Sequence, residues 1–233
     1  MIIVITGGSK GIGKALATVF LQNHHTVIVN SSNKGHLDDF YNDIKDKQLH
    51  HNCYTYQVDM THYDAIADFC TAIKNKFNAI DVLINNAGIY LPGLLHDVQE
   101  DNLGKLLNIN LMSAYHCSRN LIPLMQQRRS GHIVNICSVA GMQAYPNGGA
   151  YSVSKFAMIG LSKGLREELK PYNIKVTSVM PGATLTDSWS GTELPADRFI
   201  DAIELASVIY TTCTTSARTV VEEIVIRPMM GDI

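Results

Sequence analysis

Apolar residues fall into two alternating patterns along the chain. Short β-branched runs at Ile2 to Ile5, Thr26 to Val29, Cys53 to Val58, Val82 to Ile84, His132 to Ile136, Lys175 to Val179 and Ile224 to Ile226 predict strands. Between them, Ile12 to Leu21, Asp64 to Phe77, Leu103 to Met125, Tyr151 to Leu169 and Phe199 to Cys213 carry apolar residues at three- and four-residue spacing, which predicts amphipathic helices. Pro171 ends the fourth of these, because proline cannot continue the backbone ladder. Strands alternating with helices predict βαβ crossovers and a parallel sheet. The runs are near-continuously apolar, as burial on both faces requires, so the expected fold is α/β, a doubly wound parallel sheet of about seven strands with helices on both faces.

At 233 residues, with no repeat, low-complexity tract or linker, the chain is expected to form one domain over residues 1–233. Its 19 basic and 21 acidic residues give a net charge of -2 without a long single-sign run, which offers no footprint for nucleic acid or an anionic membrane. Five scattered cysteines, none in a C-x-x-C pair, suggest neither a disulfide framework nor a zinc site, and a reduced cytoplasmic setting is expected. Met1 to Ile5 lacks the basic segment and longer apolar stretch of a signal peptide, and no run is long enough for a membrane helix. The paired histidines His24-His25 and His50-His51 have no carboxylate or cysteine at ligand spacing, so no metal is expected; His96 stands near the expected mouth of a site.

The first strand runs straight into Thr6-Gly7-Gly8-Ser9-Lys10-Gly11-Ile12-Gly13 and then a helix. A glycine-rich loop in that position lets backbone N–H groups approach a pyrophosphate while the helix N-terminus favours its charge, the arrangement of a Rossmann-type nucleotide site. Where NAD-preferring folds put a carboxylate on the ribose, at the end of the second strand, this chain has Asn30-Ser31-Ser32-Asn33-Lys34. Lys10, Ser31 and Ser32, with Lys34 a weaker candidate, would instead suit a 2′-phosphate, which favours NADPH/NADP over NADH/NAD.

Tyr151 and Lys155 are four residues apart at the head of a helix and share one face. A free phenol titrates near ~10, too high for acid–base work at neutrality, and a nearby ammonium favours its phenolate.

With these residues in place the sequence resembles the short-chain dehydrogenase/reductase family, 3-oxoacyl reductases included, over essentially its whole length and with its motifs in order. Thr6 to Gly13 resembles the cofactor loop, and Asp59 in VDMT the acid that contacts adenine. Asn85-Asn86-Ala87-Gly88 resembles the NNAG element lining the cofactor site. Asn110 in NINL, Ser138 in ICSVAG and Tyr151 and Lys155 in YSVSK match the catalytic asparagine, serine, tyrosine and lysine. Pro181-Gly182-Ala183-Thr184-Leu185-Thr186 resembles the turn whose last threonine steadies the nicotinamide carboxamide.

The resemblance implies hydride transfer between a nicotinamide cofactor and a carbonyl or alcohol. Tyr151 would exchange the proton and Ser138 would bond the reacting oxygen. Lys155 would favour the phenolate and hold the ribose hydroxyls, and Asn110 would hold a water linking Lys155 to solvent. It also implies a homodimer or homotetramer pairing the long helices; the small residues Ala157, Gly160 and Gly164 would permit close packing there or against the sheet.

Pocket walls are expected from Met142, Gln143 and Tyr145, from Tyr90 to His96, and from Asp187 to Gly191 with Trp189, with Asp187 to Arg198 a short mobile loop rather than a long lid. The leading expectation is NADPH-dependent reduction of a ketone or aldehyde. An NAD-linked alcohol dehydrogenase and a non-catalytic nucleotide-binding scaffold are the alternatives, and the intact set of Asn110, Ser138, Tyr151 and Lys155 argues against the last.

Overall fold

Consecutive residues of a strand point to opposite faces, and here both faces find an apolar partner. Ile3 and Ile5 pack toward Leu16, Phe20 and Phe40, whereas Val4 between them packs with Ile66, Phe69 and Ile73. That is why the central strands read as unbroken apolar runs.

The computed structural model of the chain describes residues 1–96 and 101–233. Among these residues, seven strands, β1 (Ile2–Ile5), β2 (Thr26–Ser31), β3 (Cys53–Gln57), β4 (Val82–Asn85), β5 (Gly131–Ile136), β6 (Ile174–Pro181) and β7 (Glu223–Ile226), form one parallel sheet in the order β3-β2-β1-β4-β5-β6-β7. The helices are α1 (Gly11–Gln22), α2 (Lys34–Asp46), α3 (Tyr63–Lys76), α4 (Asn102–Leu107), α5 (Ser113–Arg128), α6 (Gly149–Leu169) and α7 (Ala202–Cys213). Helices α1, α2 and α7 supply the core on one face, while α3 and α5 cover the other. The fold is the expected doubly wound α/β sheet. Its strand order reverses between β1 and β4, and a crevice at the carboxyl ends of the strands is where such sheets place their ligands.

Three local expectations are corrected. Helix α2 was not predicted: it buries only Leu37, Phe40 and Ile44 and is otherwise polar, and Asn33 caps it by accepting a hydrogen bond from the His36 N–H. The segment Leu103 to Met125 is not one regular helix, because Asn108–Met112 between α4 and α5 forms a wider π-turn. The edge strands β3 and β7 alternate rather than run apolar, since Thr55, Gln57, Glu223 and Val225 face outward. Among the described residues, no helix is long and apolar enough to cross a membrane.

Candidate functional site: a cleft across the strand-order reversal

The loop after β1 and the loop after β4 are locked together. The Thr6 hydroxyl oxygen accepts the backbone N–H groups of Asn86 and Ala87 at 3.0 Å each, and the Asn86 amide donates back to the carbonyls of Thr6 (2.9 Å) and Gly7 (3.0 Å). Gly7 adopts a positive φ of 65°, which a side chain would strain. A Cβ on Gly13 would lie 2.2 Å from the Gly7 carbonyl oxygen, so the helix start can approach the loop this closely only as glycine. The result is a backbone-lined cradle opening on the N-terminus of α1, suited in shape and polarity to a phosphate.

Across from it, Ser138 follows β5, and its oxygen accepts the Ala140 N–H at 3.1 Å. Tyr151 and Lys155 lie in the first turns of α6. Lys155 is only 6% exposed, its Nζ donates to the Ile136 carbonyl at 3.0 Å, and it stands 5.6 Å from the centre of the Tyr151 ring. One wall therefore holds a hydroxyl, a phenol and an ammonium.

Asn110 occupies the π-turn and is 1% exposed. Its amide donates to the Ile89 carbonyl and to Ser154 Oγ, both at 3.0 Å, and its oxygen accepts the Ile89 N–H at 2.8 Å. Ser154 in turn donates to the Tyr151 carbonyl at 2.7 Å. A Cβ on Gly88 would meet Asn110 Oδ1 at 3.0 Å and Lys155 Nζ at 3.7 Å, so that glycine brings both polar groups together.

A cleft of about 720 Å³ separates the two walls. It is lined by Gly7, Lys10, Gly11, Ile12 and Gly13, by Asn86, Ala87 and Gly88, by Ser138, Tyr151 and Lys155, and by Pro181, Gly182, Thr184 and Thr186. Of the expected pocket residues, Tyr90, Gln143, Tyr145, Asp187 and Trp189 also line it. Met142, His96 and Gly191 do not, and Asn110 sits behind the lining. Ser9, Ser31, Ser32 and Asp59 are likewise outside it. Ser31 accepts the Asn33 N–H at 3.3 Å, and Asp59 accepts the backbone N–H and hydroxyl of Thr61. The Thr61 N–H, then its hydroxyl, hold the Asp59 carboxyl below its ordinary range.

Two features of the cleft escaped the sequence. Lys10 is ion-paired with Asp187 at 3.2 Å, bridging the glycine loop to the segment after Thr186. Arg227 and Asp232, ion-paired with each other, also line the cleft. The parallel pairing of Pro181 with Ile226, together with the Gly182 N–H bond to the Ile226 carbonyl at 2.7 Å, puts Arg227 beside Gly182. Only that register joins them, and no local motif marks it.

Around the phenol, aromatic rings gather. Tyr90 packs edge-on to Tyr151 with ring centres 5.1 Å apart. Burial, then a hydrogen bond to Tyr90, push the Tyr145 phenol above its ordinary range. Among the described residues, no three His, Cys, Asp or Glu side chains gather as a metal site.

A glycine cradle at the strand-order reversal, facing a Ser, Tyr and Lys wall, is the arrangement of nicotinamide-dependent oxidoreductases. The family model described as short chain dehydrogenase matches residues 1–195, so the chain belongs to the short-chain dehydrogenase/reductase family and is an oxidoreductase. It is 31% identical over 240 residues to a sepiapterin reductase of Chlorobaculum tepidum, covering 100% of this chain and 98% of that protein. It is 35% identical over 179 residues to a 3-oxoacyl-[acyl-carrier-protein] reductase of Thermotoga maritima, covering 77% and 72% respectively. Among solved structures it is similar to ElxO with NADP bound (TM-score 0.89, 29% identity, 97% of each chain). A metagenomic short-chain oxidoreductase in complex with NADP is also similar, with TM-score 0.85, 28% identity, and 98% of this chain and 97% of that one covered.

Proposed function

We propose that the chain reduces a ketone or aldehyde to an alcohol with NADPH as the reductant. The observation that carries this reading is the meeting of Ser138, Tyr151 and Lys155 on one wall of the cleft whose other wall is the glycine cradle. The NADP-bound neighbours and the reductases among the relatives support the cofactor and the direction.

A nicotinamide bound in the cleft supplies hydride to the carbonyl carbon. Ser138 holds the carbonyl oxygen and stabilises the charge that grows on it, and the Tyr151 hydroxyl delivers the proton. Lys155 donates to the Ile136 carbonyl and keeps its other donors for ribose hydroxyls. Asn110, bonded to Ile89 and to Ser154, anchors the turn behind Lys155, and would hold there a water linking Lys155 to solvent, from which the proton on Tyr151 is restored. Backbone N–H groups of the loop from Gly7 to Gly13 would hold the pyrophosphate, Asp59 the adenine and Thr186 the carboxamide. Ser31 and Ser32, at the end of β2, would hold the 2′-phosphate with Lys10. Lys10 must exchange Asp187 for that phosphate, a small cost because so exposed an ion pair contributes only about 0–1 kcal/mol. The engagement of Lys10 by Asp187 also supports the second reading, an NAD-linked alcohol dehydrogenase, in which Lys10 never leaves its partner. A homodimer or homotetramer is the proposed assembly.

Fluorescence titration with NADPH and NADH, followed by nicotinamide absorbance across ketones and aldehydes, tests both readings. Tyr151→Phe should bind NADPH as the parent does and lose turnover by about 10²–10⁴-fold; undiminished turnover rules out the phenol as proton donor. Lys10→Ala should weaken NADPH by about tenfold or more and leave NADH nearly unchanged, and an equal loss for both would assign the lysine no part in choosing the cofactor.

A further inference from the structure

Among the described residues, the cationic side chains that line the cleft are Lys10, Lys155 and Arg227. Lys155 stands beside the Tyr151 ring, and Lys10 belongs to the glycine loop, where Asp187 pairs with it. Arg227 directly follows β7, so it stands past the Pro181 and Gly182 turn on the side away from the glycine loop. Ile136 pairs with Val179 and Pro181 with Ile226, so the backbone leading to Ser138 and that leading to Arg227 are two strand spacings apart, about 10 Å. Ser138, Tyr151 and Arg227 line one cleft, and a short molecule whose carbonyl is held at the first two can present its other end to the guanidinium.

That guanidinium is paired with Asp232, which comes from the same short turn. The Gly231 N–H donates to the Pro228 carbonyl at 2.8 Å, and Gly231 takes a left-handed φ of 83° that glycine adopts without strain. The chain thereby doubles back and sets the Asp232 carboxylate against Gly182, where a Cβ would lie 3.0 Å from Asp232 Oδ1 and 3.0 Å from Pro228 Cδ. At the tip of the turn Met229 and Met230 are 97% and 77% exposed, so their side chains add little packing to hold it. The turn is closed by its backbone bond and by an ion pair whose side chains are 38% and 45% exposed. A pair so exposed contributes little, and another carboxylate can take the place of Asp232 at small cost.

We infer that Arg227 is the anion-binding residue of the substrate site: the carbonyl sits at Ser138 and Tyr151, and a carboxylate of the same molecule takes the guanidinium from Asp232. The substrate class is therefore an oxo acid, reduced to the corresponding hydroxy acid. The inference rests on the reading of Ser138 and Tyr151 as the groups that hold the carbonyl. The planar fork of an arginine matches the two oxygens of a carboxylate, and Asp232 is the chain's own carboxylate seated in that place. The exchange leaves neither charge stranded, because Asp232 already stands near half exposed and passes into water when displaced.

Calorimetric titration of the NADP-saturated protein with pyruvate and with levulinate, each beside its methyl ester, reads the site without turnover. At least one acid should bind about 10- to 100-fold tighter than its ester, the range for hydrogen bonds to a charged group. Arg227→Met should abolish that preference and leave the esters unchanged, and Arg227→Lys, which keeps the charge, should retain part of it. Asp232→Asn should instead tighten the acid by about two- to fivefold, because it removes the competing carboxylate. Two substitutions that break one ion pair then act in opposite directions, which a pair serving only to clip the turn cannot produce. Acids bound no tighter than esters, or an Asp232→Asn variant that fails to tighten the acid, overturn the inference. So does a loss of NADP affinity in the arginine variants as large as their loss of acid affinity, which would give the guanidinium to the cofactor. Titration of the free protein reads Arg227 even if NADP does not bind. Acid preference without oxidation of NADPH sinks the reductase reading alone, and reduction of the esters as readily as the acids sinks the oxo-acid inference alone.

Discussion

Gly13 at the start of α1 and Gly160 in the middle of α6 are both helical glycines, yet a methyl group would meet entirely different surroundings at each. At Gly13 it would lie 2.2 Å from the Gly7 carbonyl and 2.6 Å from Asn86 Nδ2, whereas at Gly160 and at Gly164 nothing lies within 4 Å. The first helix carries the cofactor cradle and the second carries Tyr151 and Lys155. The cradle is therefore fixed by backbone meeting backbone with no slack, while the outward face of α6 is open within a single chain. The contrast shows that a small residue in sequence signals close approach only where the fold supplies something to approach.

Matched substitutions put that contrast to the test. Gly13→Ala should have the largest effect, a loss of about 3 kcal/mol in urea unfolding together with weakened NADPH binding, because the contact is with backbone that cannot rotate away. Unchanged stability and affinity would mean that the cradle has slack after all. Thr6→Val keeps the shape of a residue only 1% exposed but leaves the Asn86 and Ala87 N–H groups without their acceptor, for an expected loss of about 2 kcal/mol in the same experiment. An effect near zero would show that the two loops are held by packing alone. Gly160→Ala should instead stabilise by about 0.5–1 kcal/mol, the ordinary gain from removing a mid-helix glycine. A loss that grows as protein concentration falls would place a second copy against this face.

The same contrast bears on what a sequence can disclose. The five inner strands were legible because burial on both faces leaves long apolar runs, and the Tyr151 and Lys155 spacing was legible because helical geometry converts four residues into one face. Helix α2 was not, because three buried positions in a polar stretch containing Gly35 give a weak period, and its existence depends on packing Phe40 and Ile44 against the β1 face. The π-turn at Asn110 was hidden for another reason, since its wider backbone is stabilised by the bond of Asn110 to Ile89, a partner 21 residues away. Arg227 and Asp232 reach the cleft only through the register of β6 with β7. The ion pair of Lys10 with Asp187 likewise joins loops far apart in sequence, so the charge of Lys10 was legible and its partner was not.

The clasp between Thr6 and Asn86 has a consequence for the birth of the molecule. Its two halves are 80 residues apart, and the strand that follows β3 crosses to the far side of β1 before the clasp can close. A ribosome adding about 5–20 residues per second makes the first half wait roughly 4–16 s for the second. During that interval the Thr6 and Gly7 carbonyls lack the donor that Asn86 supplies, and one edge of β1 has no neighbour. Nascent chains stalled just before Asn86 has emerged should thus be open to proteases and chaperones at the very segment that the clasp later locks to the loop after β4.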